Sequence, residues 1–214
     1  MAMEKFHVKM TGLTPILMHF DNIEAQDAEQ ARGKSGGKAG DDRHPADRWK
    51  TYLYLSDKEV VMPSQNVLAS LLKVGSSISI GGKKTLKAAS QGVLFDDIYL
   101  TFRTGANLKP VKRGDVEAIE GDFNEQRRGA RGLGFDVQVA PVRVNGKRHI
   151  RTRPMFSMWS VEGDFTIGDV DLTLPRLKEM FSLAGIKAGL GDWRPGSPSK
   201  PGPYGRFSAE VKAA

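Results

Sequence analysis

Apolar and polar residues alternate along several stretches of this chain, and such alternation predicts β-strands with one buried face. The clearest example lies near the N-terminus, where Phe6, Val8 and Met10 alternate with polar residues. The Asn145-Gly146 dipeptide between two later stretches is typical of a tight hairpin turn. The other predicted strands cover residues 49–55, 60–62, 92–103, 135–144, 148–155, 156–167 and 205–211.

Two segments place apolar residues at helical spacing and therefore predict amphipathic helices. The first begins at Ser64, whose hydroxyl is expected to cap it, and ends at Gly75. The second begins after Thr173 and is expected to end at Gly185. The apolar stripes are Val67, Leu68, Leu71 and Leu72 in the first helix and Leu177, Met180, Phe181 and Ala184 in the second.

The order of these elements predicts an α+β fold with an antiparallel sheet, in a single domain that covers residues 1–214. The simplest topology is an RRM-like (ferredoxin-like) βαββαβ core with extra β-hairpins and long inserted loops. Two insertions are predicted. One is a flexible Gly/Lys loop at about residues 21–48, and the other is a basic Arg/Gly loop at about residues 104–134.

The segment at residues 184–211 has the pattern of a helix end, a long Gly/Pro loop and a final strand. Loops of more than about 12–15 residues without secondary structure of their own are usually functional or disordered. The side chains of this loop suit an anionic ligand that offers stacking surfaces. They are the aromatic and cationic groups of Trp193, Arg194, Lys200, Tyr204 and Arg206.

Charge and composition narrow the classes of function. The 214-residue chain has a formal net charge of +7, which favours a polyanionic partner such as nucleic acid. It has no cysteine, and this excludes disulfides, thiolate zinc sites, iron–sulfur clusters and cysteine nucleophiles. No run of about 18 apolar residues occurs, so no membrane partner is expected. The N-terminus lacks the apolar core of a secretion signal, so a cytoplasmic location is expected.

Basic residues form four clusters along the chain. Each cluster by itself is also consistent with an ordinary solvated surface. Together with the C-terminal aromatic groups they favour nucleic acid, because guanidinium groups bind phosphates bidentately and stack on bases. Glycines allow close backbone approach, and aromatic stacking contributes ~1–3 kcal/mol per base. Trp49 and Trp159 lie in strand patterns and are expected in the core. The candidate nucleic-acid-binding residues are Lys34, Lys38, Arg127, Arg128, Arg131, Arg143, Lys147, Arg148, Arg151, Arg153, Gly189, Gly191, Trp193, Arg194, Lys200, Tyr204 and Arg206.

No catalytic motif is evident, so no catalytic residue, metal site or cofactor is predicted. Gly33-Lys34-Ser35 resembles the end of a phosphate-binding P-loop, but the first glycine of that motif and its flanking strand and helix are missing. The acidic cluster at residues 41–47 is interpreted as solvated side chains rather than metal ligands. The enzymatic alternative depends on His19, which follows the first strand and could act as the general base of an endoribonuclease.

Three stretches carry a resemblance to a known family. The opening VKMTGLTPILMH has the form of a strand and loop, and the central VVMPSQNVLASLLKVG has a strand-Pro-helix form in which Ser64 starts the helix. The third stretch is the Gly-rich C-terminal segment AGIKAGLGDWRPGSPSKPGPYGRFSAEV. All three resemble the corresponding segments of the RAMP-superfamily CRISPR proteins. The ending matches that family's pattern at Gly189, Gly191, Arg194, Gly205, Arg206 and Phe207.

Within that superfamily the chain looks most like the backbone subunits of CRISPR effector complexes, or a compact phage or plasmid relative of them. The resemblance implies an RRM-like palm, inserted loops that act as thumb and fingers, and copies arranged head to tail along a guide RNA. Other effector-complex subunits are further implied partners. The chain is short for this group and has no clear counterpart of the acidic residue that cleaves target RNA in some members. The RNA-cutting branch often uses an early histidine, for which His19 is the candidate.

These features predict a non-enzymatic protein that coats single-stranded nucleic acid as a repeating backbone subunit. RNA is the favoured ligand. Three alternatives stay open: a phage or plasmid single-stranded DNA-binding protein of the same fold, a metal-independent endoribonuclease that uses His19, and a protein-interaction module. Residue types do not separate RNA from DNA, because contacts to the 2′-hydroxyl are not readable from a sequence.

Overall fold

The computed structural model describes residues 3–21, 48–81, 84–144, 147–198 and 200–214. Of residues 81, 84, 143, 144, 147 and 148 it describes the backbone only. The predicted insertion at residues 21–48, except at its two ends, lies outside the described residues. The Asn145-Gly146 turn and the acidic cluster at residues 41–47 lie outside them as well.

The described part of the chain has α+β structure in which all strand pairings are antiparallel, and this confirms the predicted fold class. The strands are β1 (Glu4–Gly12), β2 (Ile16–Leu17), β3 (Val61–Pro63), β4 (Ser79–Gly81), β5 (Lys84–Thr85), β6 (Val93–Phe95), β7 (Tyr99–Thr104), β8 (Asp136–Val144), β9 (Lys147–Phe156), β10 (Trp159–Ile167) and β11 (Phe207–Ala213).

Short and long helices alternate with these strands. No helix in the described ranges is long and apolar enough to cross a membrane. The α-helices are α1 (Ser64–Gly75), α2 (Leu86–Ser90), α3 (Arg113–Glu117), α4 (Phe123–Gly132) and α5 (Leu174–Leu183). A 3-10 turn (Trp49–Tyr52) precedes β3, and a π-helical turn (Ala184–Ala188) extends α5.

Six strands form the main sheet. Five of them follow the order β11-β1-β10-β7-β3, and β6 pairs with β10 as well. The predicted alternation along β1 is confirmed, because Val8 is fully buried whereas Lys9 is exposed. Helix α5 packs on the buried face, where the ring of Phe181 lies 5.6 Å from that of Phe165 in β10. One face of the sheet is therefore part of the hydrophobic core.

The opposite face of the main sheet is polar. Lys5 forms an ion pair with Asp96 and Arg103 forms one with Glu162, with nitrogen–oxygen distances of 2.7 and 3.1 Å. Nδ1 of His7 lies 2.7 Å from Oδ1 of Asp164.

A second sheet has the order β2-β9-β8 and shares its core with the main sheet. Aromatic rings join the two. Phe156 of β9 lies 4.9 Å from Phe102 of β7 and 4.8 Å from Phe135, which precedes β8. Because these rings are buried between the sheets, the second sheet is held at a fixed position beside the first.

Residues 49–55 do not form the predicted strand. Trp49–Tyr52 is a 3-10 turn, and an isolated bridge to Val60 is what remains of the predicted hairpin. Packing explains the difference, because Trp49 is fully buried and its Nε1 donates a 2.7 Å hydrogen bond to Oε1 of Gln126 in α4. Burial of the indole outweighs the weak local preference for an extended chain. The predicted core positions of Trp49 and Trp159 are confirmed.

The segment at residues 104–134 contains helices α3 and α4, where the sequence pattern predicts a loop. Asp122 caps α4: its Oδ1 accepts from the Glu125 amide at 2.9 Å, and Oε2 of Glu125 accepts from the Asp122 amide at 2.8 Å. This reciprocal cap satisfies two amides at the helix start. The prediction of a loop from arginine and glycine content is therefore wrong for this segment, since the cap stabilises the first turn of α4.

Helix α1 begins at Ser64 as predicted, but the Ser64 hydroxyl does not cap it. It donates instead to the Ile98 carbonyl at 3.1 Å, which ties the start of the helix to the residue before β7. Gly185 does not end the second long helix, since α5 continues into the π-helical turn. A Cβ at Gly185 would collide with the carbonyl of Phe207, so glycine is required there for close packing against β11.

Candidate nucleic-acid interface

The C-terminal loop, residues 189–206, lies against the connection between β1 and β2. The Leu190 amide donates to the Gly205 carbonyl at 2.9 Å and closes the loop on itself. The Gly205 amide donates to the Pro15 carbonyl, and the Asp192 amide to the Leu17 carbonyl, both at 2.8 Å. The loop therefore has a path defined by backbone hydrogen bonds, in spite of its Gly/Pro composition.

Three glycines of the loop have left-handed backbone angles that favour glycine. The φ values are +68° at Gly189, +76° at Gly191 and +71° at Gly205. A Cβ at Gly191 would collide with the Leu17 carbonyl, and one at Gly205 with the Leu190 carbonyl. Packing within the protein thus explains these glycines, and contact of Gly189 and Gly191 with a sugar-phosphate chain stays a prediction.

Arg153 of β9 points into the protein beneath this loop. It is one of the predicted nucleic-acid-binding residues, yet it is only 5% exposed. Its Nε donates to Oδ2 of Asp192 at 2.8 Å, and its guanidinium carbon lies 4.6 Å from the centre of the Tyr52 ring. A buried guanidinium needs such partners to offset its lost hydration. Arg153 therefore supports the loop from inside.

Asp192 connects Arg153 with the exposed tip of the loop. While Oδ2 accepts from Arg153, Oδ1 accepts from the Trp193 amide at 2.8 Å. Burial alone would raise the pKa of Asp192, but the hydrogen bond and the positive charge of Arg153 outweigh it and lower that pKa below its ordinary value. Asp192 is therefore ionised at neutral pH.

His19 lies at the edge of the same cluster. Its Nδ1 is 3.4 Å from a terminal nitrogen of Arg153 and 3.7 Å from Oδ2 of Asp192, and its Nε2 is 3.6 Å from Oδ1 of Asp21. Burial, followed by the positive charge of Arg153, lowers the pKa of His19. The imidazole is thus neutral at pH 7, which is the protonation state that a general base requires.

Trp193 and Tyr204 form an aromatic pair on the surface of the loop. Their ring centroids are 5.7 Å apart, and the planes are inclined by 42°. The Tyr204 hydroxyl accepts a 2.7 Å hydrogen bond from Nε2 of Gln138, which attaches the pair to β8. Trp193 is 47% exposed, so much of its ring faces solvent.

Two of the three arginines in the predicted cluster at residues 127–131 share a single carboxylate. Nε of Arg127 and Nη2 of Arg131 contact Asp136 at 2.7 and 3.0 Å. Burial would raise the pKa of Asp136, but hydrogen bonds from these two arginines lower it below its ordinary value. Arg128 is exposed and has no acidic partner among the described residues.

The cations of the C-terminal loop have a different environment, since none of them meets a carboxylate among the described residues. Nη1 of Arg194 donates to the Gly191 carbonyl at 2.7 Å. Arg206 donates to two carbonyl oxygens at 3.2 and 3.3 Å. Lys200 is exposed to solvent. These three positive charges are therefore available to an anionic ligand.

Arg151 precedes Arg153 by two residues, so both lie on the same face of β9. The Nε of Arg151 is buried without a hydrogen-bond partner in the described ranges. Arg143, Lys147 and Arg148 lie in β8 and β9 with only their backbone described, and Lys34 and Lys38 lie outside the described residues.

Sequence reasoning missed three residues that build this site, namely Tyr52, Gln138 and Asp192. Asp192 is the single acidic residue between residues 189 and 206, and its isolation among cations was a usable signal for an internal partner. No comparable signal exists for Gln138, because it meets Tyr204 across 66 residues of sequence.

Comparison with known proteins gives no family for this chain, since no protein-family model matches it and no curated protein sequence matches it significantly. Within the described residues no group of three or more histidine or acidic side chains is arranged to hold a metal ion. The function of the site is therefore argued from its own chemistry.

Proposed function

We propose that this protein is a non-enzymatic binder that coats single-stranded nucleic acid as a repeating subunit of a CRISPR-type ribonucleoprotein. The proposed ligand is RNA, and single-stranded DNA is the alternative. The observation that carries the proposal is the C-terminal loop, whose cations face no carboxylate among the described residues and lie in the same loop as the half-exposed Trp193. A phosphate chain supplies the anionic partners that these cations lack.

In this mechanism Arg194, Arg206 and Lys200 contact phosphates. Guanidinium groups bind phosphate bidentately, and each contact releases counterions condensed on the strand, so affinity falls as salt rises. Phosphate contacts position a strand without reading its bases. Binding is therefore tolerant of sequence, as a subunit that coats any guide strand requires.

We also propose that the main sheet belongs to an RRM-like βαββαβ core made of β1, α1, β7, β10, α5 and β11. The antiparallel order β11-β1-β10-β7 supports this topology. RRM domains stack bases on aromatic residues of the sheet. The open face of this sheet instead carries ion pairs such as Lys5–Asp96 and Arg103–Glu162, so we assign the nucleic-acid strand to the C-terminal loop.

Fluorescence anisotropy with labelled single-stranded RNA and DNA of one sequence tests this proposal. The double variant Arg194→Ala/Arg206→Ala should bind less tightly and reduce the slope of log affinity against log salt by about 1.4, since each phosphate contact on a single strand contributes about 0.7. Arg113→Ala is the matched control, because Arg113 is exposed and paired with Glu117 at 2.7 Å. Absence of binding to both strands at low salt contradicts the proposal, and tighter binding of DNA supports the DNA-binding alternative.

A second candidate function, metal-independent RNA cleavage, is favoured by the neutral and partly exposed imidazole of His19 beside Arg153. It is tested by incubating labelled RNA with the wild-type protein and with His19→Ala in the presence of a chelator. We expect intact RNA with both proteins. Cleavage by the wild type that His19→Ala abolishes would replace binding by catalysis as the function.

A further inference from the structure

Trp193 differs from the other two tryptophans of this chain in its exposure. Trp49 and Trp159 are 0% and 1% exposed, whereas Trp193 is 47% exposed although backbone hydrogen bonds fix the path of its loop. An indole ring in water forgoes the burial that normally stabilises it. Its outward position is thus a feature of the loop that requires an explanation.

The backbone of Trp193 is held in an unusual conformation. Its φ of +45° lies in the left-handed region, which bulky residues rarely adopt and which is often found at binding sites. Two contacts impose it: Asp192 accepts from the Trp193 amide, and Arg153 fixes the Asp192 carboxylate from below. Gly202 passes so close that a Cβ there would collide with the Trp193 carbonyl. The ring is therefore presented outward by a rigid support.

The surroundings of the ring are aromatic on one side and cationic nearby. Tyr204 packs against Trp193 and is fixed by Gln138. Arg194 follows Trp193 directly in the chain and has no acidic partner in the described ranges. A flat apolar ring beside a cation of this kind matches a nucleobase joined to its phosphate.

We propose that Trp193 is a stacking site for one unpaired nucleobase of the bound strand, with Tyr204 supporting the indole and Asp192 acting as a positioning residue. This inference rests on the proposed function, since it names the part of the strand that the same loop recognises. A base must leave its neighbours before it stacks on protein, so the site selects single strands over duplexes and intact strands over abasic ones. Phosphate contacts alone provide neither selection.

The test uses unlabelled oligouridylate of about 16 nucleotides, an abasic strand of equal length and a duplex, with affinities measured by competition for a labelled strand. Trp193→Ala should weaken binding of oligouridylate about 5- to 150-fold, and it should leave binding of the abasic strand unchanged. Trp193→Phe should retain most of the affinity. Tyr99→Ala, which removes an exposed aromatic ring from β7, is the matched control and should have no effect.

Tryptophan fluorescence gives an independent measurement, because Trp49 and Trp159 are shielded from solvent. Oligouridylate should quench the emission of Trp193 and protect it from acrylamide, and Trp193→Phe should abolish both changes. Asp192→Asn should weaken binding of oligouridylate more than binding of the abasic strand, since Asp192 acts through the position of the indole. Far-UV circular dichroism of each variant shows whether it is folded.

The outcomes separate this inference from the proposed function. Equal binding of oligouridylate and the abasic strand, together with unchanged affinity of folded Trp193→Ala, overturns the stacking site but leaves phosphate-dependent coating in place. Absence of binding to every strand overturns both.

Discussion

Arg153 pairs with Asp192 inside the protein, whereas Arg194, two residues after Asp192, has a carbonyl oxygen as its partner. Burial removes the hydration of Arg153, so its charge must be matched by a carboxylate. Arg194 is only partly buried and has a neutral carbonyl partner, so its charge can still take up a phosphate. Two arginines of similar local sequence thus have opposite roles, one structural and one available for binding.

At the residue scale, Arg153→Ala should destabilise the protein. It leaves the Asp192 carboxylate without its partner and removes the cation over Tyr52, so we expect the free energy of unfolding to fall by ~3–5 kcal/mol. Urea unfolding followed by circular dichroism measures this. Arg131→Ala is the control: its side chain is 55% exposed, and Asp136 keeps Arg127, so a change within about 1 kcal/mol is expected. Similar losses for both variants would show that the buried pair has no special role.

The Arg153–Asp192 pair also predicts that the stability of the protein depends on pH. The pKa of Asp192 is lower in the folded protein than its ordinary value, so the unfolded chain takes up the proton first as pH falls. The stability from this pair is therefore complete above about pH 4 and is lost as pH decreases through the folded pKa. Asp192→Asn should be less stable near neutral pH but lose less stability on acidification, as measured by thermal melts at several pH values. A parallel decline of wild type and variant would exclude this contribution.

At the scale of elements, periodic patterns predict β1, α1 and α5 correctly, whereas composition predicts a loop at residues 104–134 where helices form. Alternation in β1 and the helical stripes of α1 and α5 are visible because buried residues recur at a fixed spacing. Helix α4 buries only Gln126 and Ala130 and so lacks the large apolar stripe that marks α1 and α5. The Asp122 cap stabilises its first turn and is present in the sequence, but the arginine and glycine content obscures it.

The C-terminal loop depends on glycine for its path. A glycine-to-alanine substitution should therefore destabilise the protein in this loop, whereas the same substitution in a helix should stabilise it. Gly205→Ala should lower the free energy of unfolding by ~1–2 kcal/mol or more, because the left-handed backbone disfavours a side chain and Cβ meets the Leu190 carbonyl. Gly114→Ala lies in α3 with no atom within 4 Å of the added Cβ, so it should stabilise by up to about 1 kcal/mol. Chemical denaturation of both variants checks the contrast. Equal stability of Gly205→Ala and wild type would mean that the loop readily changes its path.

At the scale of the whole molecule, the net charge is +7, and the cations differ in whether a carboxylate lies beside them. On the open face of the main sheet, Lys5 and Arg103 pair with carboxylates, and around Asp136 one carboxylate is shared by Arg127 and Arg131. The cations of the C-terminal loop contact no carboxylate among the described residues, and this difference defines the candidate site. The basic and aromatic character of the loop could be predicted from sequence. The support by Arg153 and Gln138 could not, because it depends on contacts across 39 and 66 residues that follow from the packing of the second sheet.

Coating by copies arranged head to tail makes a prediction about stoichiometry. A subunit that binds phosphates without reading bases has no unique position on a strand, so the number of bound copies is set by strand length. Light scattering coupled to size-exclusion chromatography should therefore find complexes whose mass rises in steps of one chain as the RNA is lengthened. If neighbouring copies also contact one another, partly filled long strands should be rare at limiting protein. Arg194→Ala/Arg206→Ala should shift each step to higher protein concentration without changing its size, since it weakens contact with the strand and not the spacing of copies. A complex of constant mass on strands of increasing length would exclude coating and leave a protein that binds one site or one strand end.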